Sequence, residues 1–156
     1  MTRENKYMKW TIVVTIFASA CAAVAALAAQ SPPLPSISVV RDTGCGCCLQ
    51  WVAHLRKAGF NTTVVESPNR AATSKVPVAL RSCHTGTVDG YLIEGHVPLA
   101  HIKKLLQTRP KIAGIAAPGM PAGSPGMEVP GGVVAPYDVI AFDAAGKTNV
   151  FASHRD

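Results

Sequence analysis

Three cysteines stand within four positions in DTGCGCCLQW, residues 42–51, and a fourth, Cys83, opens CHTGTVDG. Cys45-Gly46-Cys47-Cys48 superimposes two spacings: C-x-x-C, used by redox dithiols, and C-x-C, used for soft metals. The run follows a β-branched segment and precedes a helical one. Its thiols therefore fall at a helix N-terminus, where free backbone N–H groups and the positive end of the helix dipole stabilise thiolates as nucleophiles or ligands. As a staple the arrangement is poor. Cys47 and Cys48 are adjacent and Cys45 is too close to Cys47 for a relaxed bridge, so Cys45 to Cys48 plus one long-range pair is the most that fits. Thiol–disulfide exchange through Cys45 and Cys48, a soft-metal centre, and a structural disulfide from Cys83 to one of the three all remain open. Zinc is a further option, but it is usually held by two separate C-x-x-C knuckles and only one is present.

Convergence of these thiols depends on the elements around them. SISVVR, from Ser36, alternates and is β-branched, which predicts a strand. CCLQWVAHLRKAGF places Cys48, Val52, Leu55 and Ala58 at helical spacing beside Trp51, and Gly59 ends the helix. At about 100° per residue Cys45 and Cys48 project about 60° apart with Cys47 well off that direction, so all three meet only if Cys45 and Gly46 precede the helix. Gly44 and Gly46 supply the backbone freedom. NTTVVE, from Asn61, is a second strand, and SPNRAATSK is a short helix or a loop. Val76-Pro77 is a candidate cis-proline. Asp89-Gly90 predicts a two-residue hairpin joining strands near Thr85–Val88 and Tyr91–Val97. Pro98 then opens a helix with Leu99, Ile102, Leu105 and Leu106 on one face. PGMPAGSPGMEVPGG, residues 118–132, holds no regular element, and a loop of that length in a small domain is usually functional or disordered. A hairpin around Ala144–Lys147 closes the chain.

The order β-α-β then β-β-α, with a dithiol opening the first helix, is the thioredoxin layout. The expected fold class is α/β, a central mixed sheet with flanking helices, the Pro/Gly loop and a C-terminal hairpin. In such a layout Cys83-His84 sits on the approach to the third strand, facing the first helix, so Cys83 is expected to meet Cys45, Cys47 and Cys48. His84 alternates away within a regular strand and joins the site only if it precedes the ladder. His96 beside Gly95 is a candidate ligand or an ordinary exposed histidine. Met120 and Met127 in the Pro/Gly loop are loop anchors or soft thioether ligands for Cu(I). His54 is read as a surface residue, Asp89 as a turn residue, Glu94 as a solvent-facing strand position and Glu128 as a loop residue.

At the N-terminus Lys6 and Lys9 precede WTIVVTIFASACAAVAALAA, and Ala26-Leu27-Ala28 has the small-x-small pattern of a cleavage site. Residues 1–28 are expected to be a secretory signal peptide, with an uncleaved membrane anchor as the alternative. Cys21 lacks the context of a lipidation site. Beyond residue 28, twelve Lys and Arg against eight Asp and Glu leave a net +4, scattered over Arg41, Arg56, Lys57, Lys103, Lys104 and Arg109. That pattern is a solvated surface with no nucleic-acid partner, and a membrane enters only through an uncleaved N-terminus. Residues 36–153 are expected to form one domain.

CGCCLQWVAHLRKAGF, LRSCHTGTVDGYLIEGHVP and APGMPAGSPGME together resemble the CopG-like family of exported copper-resistance proteins, over about Ser36 to Phe151. The resemblance implies a thioredoxin-like fold in the periplasm and copper bound through Cys45, Cys47, Cys48 and Cys83, with a multinuclear Cu(I) cluster as one form of that binding. It also implies a role in copper redox interconversion, hence a copper oxidoreductase as a mixed reading, and exchange with other exported copper-handling proteins. Between Glu66 and Val76 the chain is shorter than the family pattern, which bears on the second helix and touches none of the four cysteines.

Overall fold

The computed structural model describes residues 33–155. The expected signal segment, residues 1–28, lies outside the described residues. β1 (Ile37–Arg41), β2 (Thr62–Glu66), β3 (His84–Val88), β4 (Tyr91–Gly95), β5 (Gly114–Ala117), β6 (Tyr137–Phe142) and β7 (Thr148–His154) form one sheet in the order β2-β1-β3-β4-β5-β6-β7. β1 runs parallel to β2 and antiparallel to β3, and β3 and β4 form a hairpin whose turn residues, Asp89 and Gly90, both take positive φ. This half, with helices α1 (Gly46–Lys57) and α3 (Leu99–Thr108), is the expected thioredoxin-like α/β arrangement.

The expected periodicities produce the packing. α1 buries Cys48, Trp51, Val52 and Leu55, and α3 buries Ile102 and Leu105, against Ile37, Val39, Ile93 and Ile115 of the sheet. Each such side chain contributes about 1.5–3 kcal/mol on full burial. Trp51 also donates its indole N–H to the Val97 carbonyl at 3.0 Å, so the tryptophan is both packed and satisfied. Gly59 takes φ +93° where the chain leaves α1, as its position predicted.

β5 was not foreseen. Gly-Ile-Ala-Ala carries little strand propensity, yet all four residues are buried between β4, to which β5 runs parallel after α3, and β6. Gly114 is required there, because a Cβ would meet the Leu92 backbone and the Phe142 ring. The opposite sheet face carries a second cluster of Val76, Leu80, Ala116 and Phe142, beneath the short helix α2 (Arg70–Thr73) and a 3₁₀ turn (Val78–Leu80). No cis peptide bond occurs among the described residues, so the bond before Pro77 is trans. None of the described helices is long and apolar enough to cross a membrane.

β7 is fastened to α3 through His101 and His154, whose Nε2 atoms lie 2.7 Å apart, with His154 stacked on Tyr137. Only one of the two imidazoles can donate, so the contact needs at least one neutral ring. Burial, then His154 and Lys104, hold His101 below the usual histidine range. A folded pKa below the unfolded value near 6.5 means the unfolded chain takes up the proton first, so this stabilisation is present above that pH and is lost as pH falls. Protection of the β7 amides, measured against their intrinsic exchange rates, is therefore expected to fall between pH 7.5 and 5.5 more than that of β1, and His101→Gln should abolish the difference.

Candidate metal centre

The chain leaves β1 through Asp42-Thr43-Gly44, with Gly44 at φ +76°. Cys45 is the N-cap of α1, outside the helix, and its sulfur accepts the Cys48 N–H at 3.3 Å. Taking Cys45 alone out of the helical path is sufficient, since Gly46 is already helical. Cys45 and Cys48 form a disulfide with Cα atoms 5.5 Å apart, while Cys47 and Cys83 are free thiols. Cys83 Sγ lies 3.3 Å from Cys45 Sγ and 3.2 Å from Cys48 Sγ, and Cys47 Sγ is 3.5 Å from Cys45 Sγ. All four sulfurs fall within 4.8 Å of one another. Burial, and then the neighbouring Cys47, push the Cys83 thiol up, so in the metal-free chain it holds its proton and a bound cation must displace it.

Two networks fix the backbone on either side. Arg41 is buried, pairs with Glu66 and donates to the Cys45 carbonyl at 3.1 Å. Its scattered place in the sequence had suggested only a solvated charge. Arg70 reaches Asp42 Oδ1 at 3.1 Å, Thr85 Oγ1 at 2.9 Å, Glu94 Oε1 at 3.3 Å and the Ser82 carbonyl. Glu94 also accepts the Ser82 N–H at 2.6 Å. One buried ion pair thereby holds both the turn before Cys45 and the segment that carries Cys83. The solvent-facing assignment of Glu94 is corrected: β4 is an interior strand covered on both faces, so the position alternate to Ile93 points at Arg70 and is fully buried. Burial pushes the Glu94 carboxyl up against the opposing pull of Thr85, Ser82 and Arg70.

The remaining candidates separate. Cys83 lies in a bend outside the β3 ladder, whereas His84 is its first residue, opposite Arg41. Strict alternation therefore does not divide them. His84 packs on Trp51, with ring centroids 4.6 Å apart, and lies edge-to-face with His96 at 4.9 Å. Both histidines are fully buried, which removes the exposed reading of His96. Burial, then His96, holds His84 down to about 3, and burial lowers His96 as well. Cys83, His84 and His96 each offer one ligand atom within 4.8 Å of the others. Met120, half exposed at φ +49°, brings its thioether 4.0 Å from Cys83 Sγ. The Met127 backbone exchanges hydrogen bonds with Gly123 and Ser124.

The Pro/Gly loop is ordered because it closes on α1. His54 pairs with Glu128 at 2.7 Å, so His54 is a loop anchor rather than an idle surface group. A Cβ at Gly126, which has φ +84°, would stand 2.7 Å from the Trp51 backbone nitrogen. Gly126→Ala is expected to lift the loop and cost about 1–3 kcal/mol, read as a lower urea midpoint together with faster alkylation of Cys83.

The family model described as "Protein of unknown function, DUF411" matches residues 80–127. No curated protein matches. A solved structure named "Copper resistance protein copG- Form 1" is similar with a TM-score of 0.73 at 41% identity, over 79% of this chain and 99% of its own. The chain belongs to the CopG family. A second CopG structure, "Form 2", matches at 43% identity with the same coverage and TM-score. The matched segment 80–127 contains Cys83, His84, His96, Met120 and Met127, whereas Cys45, Cys47 and Cys48 lie outside it, on the β1–α1 turn and the start of α1.

Proposed function

We propose that this chain is an exported, periplasmic copper-resistance protein that holds Cu(I) on Cys45, Cys47, Cys48 and Cys83 as a multinuclear, cysteine-bridged cluster. The observation that carries the reading is the meeting of four sulfurs within 4.8 Å. One Cu(I) needs two or three soft ligands, so four thiolates in that volume favour sulfurs bridging several ions. Copper as the cargo is supported by the naming of the two similar structures as copper resistance proteins. Met120, at the mouth of the group, is the accessory thioether in this reading, and Met127 a loop residue. Delivery to or from other exported copper-handling proteins, and cycling of the held copper between oxidation states, extend the same proposal.

Loading requires the Cys45–Cys48 disulfide to take up two electrons and two protons from a dithiol, after which each cysteine gives up its proton to bind metal. The reduced chain, loaded without oxygen against a Cu(I) chelator of known affinity, is expected to retain more than one copper with all four thiols protected from alkylation. Retention of a single ion with Cys47 alkylated would refute the bridged arrangement.

The disulfide itself favours a second reading, thiol–disulfide exchange through Cys45 and Cys48. Its test is a disulfide-reductase assay: a rate no greater than that of free dithiol removes it.

A further inference from the structure

His96 Nδ1 lies 2.9 Å from the Pro125 carbonyl oxygen. A carbonyl only accepts, so Nδ1 carries the ring proton and Nε2 presents a bare lone pair. That Nε2 is buried and has no hydrogen-bond partner, and the same holds for Nε2 of His84. An unpaired buried nitrogen is costly, and among the described residues the two rings account for two of three such atoms. They are neighbours, edge-to-face at 4.9 Å, so the cost is concentrated in one place. Cys83 completes a group in which one ligand atom from each residue lies within 4.8 Å of the others, its 3.8 Å contact being with the second ring nitrogen of His84, Nδ1.

We propose that Cys83, His84 and His96 form an inner metal site that takes one borderline transition-metal ion on one thiolate and two imidazole nitrogens. The ion shares only the Cys83 sulfur with the all-cysteine group, so the two sites can be tested separately. Metal–sulfur and metal–nitrogen bonds of about 2.3 and 2.0 Å place the ligand atoms about 3.3–3.7 Å apart, so a group that already lies within 4.8 Å closes by about an ångström at most. A ring whose Nδ1–H is held by a backbone carbonyl is oriented as metal-binding histidines usually are. The donor set differs in kind from four thiolates: imidazoles suit zinc and copper, and the mixed set is less selective for Cu(I).

The test uses the full chain carrying C45S, C47S and C48S, which retains Cys83, His84 and His96, reduced and titrated with Co(II) as an optical probe. The expected result is a visible spectrum of low-coordinate Co(II) with thiolate charge transfer, saturating at one ion per chain. H96Q should weaken it more than about tenfold. Displacement by Zn(II) or by Cu(I) then identifies the preferred ion. A spectrum of hydrated Co(II) only, or one that H96Q leaves unchanged, overturns the proposal. Should the triple variant fail to fold, the wild-type chain with Zn(II) decides: the imidazole nitrogen resonance of His96 Nε2 shifts to a metal-bound value, or its constancy, as with a buried water, overturns the site. Failure is separable from that of the cysteine cluster. Full Cu(I) loading that H96Q does not alter, with no Co(II) bound by the triple variant, removes the inner site alone; one Co(II) in the triple variant without bridged Cu(I) in the full chain removes the cluster alone.

Discussion

Arg70→Met is expected to lower the unfolding free energy by about 3–5 kcal/mol, the cost of leaving a buried charge without its partner. Arg70 is 3% exposed and Glu94 not at all, so water cannot replace the lost guanidinium. The same change frees Asp42, Thr85 and the Ser82 carbonyl at once. Adding Glu94→Gln should recover part of the loss, because the uncompensated carboxylate is then removed. Urea unfolding of the two variants checks this, and a single-variant loss below about 1 kcal/mol would mean that the pair clamps nothing. Since the network holds both halves of the thiol site, Arg70→Met should also speed alkylation of Cys83 at denaturant concentrations where the chain is still folded.

Cys83→Ser has the largest expected effect on metal. Of the four thiol sulfurs in the group, its own alone comes from outside the Asp42–Cys48 turn, and it stands 3.3 and 3.2 Å from those of Cys45 and Cys48. With a hydroxyl there, the remaining thiolates come from one turn and lose their bridging partner. Bound Cu(I) per chain should fall, and affinity for the remainder should drop by more than about 100-fold, beyond what the loss of an outer hydrogen-bonding partner alone produces. The exchange reading predicts the opposite pattern, because Cys45–Cys48 is intact in the variant and any reductase rate would persist.

Local signals carried much of this architecture. Alternation in SISVVR, the 3.6-residue spacing after Cys48 and the Asp89-Gly90 turn each act over a few residues, and each produced the expected element. From these, the meeting of Cys83 with Cys45, Cys47 and Cys48 followed from the layout. Nonlocal facts left weaker traces. Gly114–Ala117 becomes a strand because β4 and β6 flank it, not through its own propensity. Glu94 alternates with Ile93 as an outward residue would, and only the cover over the second sheet face turns it into a buried partner of Arg70, itself in a segment that reads as a polar loop. The tautomer of His96 depends on Pro125, twenty-nine residues away. Met120 and Met127 share a loop without periodicity, so nothing in the sequence marked Met120 as the one whose thioether reaches Cys83 at 4.0 Å.

Copper X-ray absorption on the reduced, Cu(I)-loaded chain tests the central claim most directly. The account predicts sulfur-dominated coordination at about 2.3 Å, taking zinc–thiolate bonds as the guide, together with a short copper–copper vector whose amplitude falls in Cys83→Ser. Sulfur ligation with no copper–copper scattering, unchanged by that substitution, would contradict a cysteine-bridged cluster.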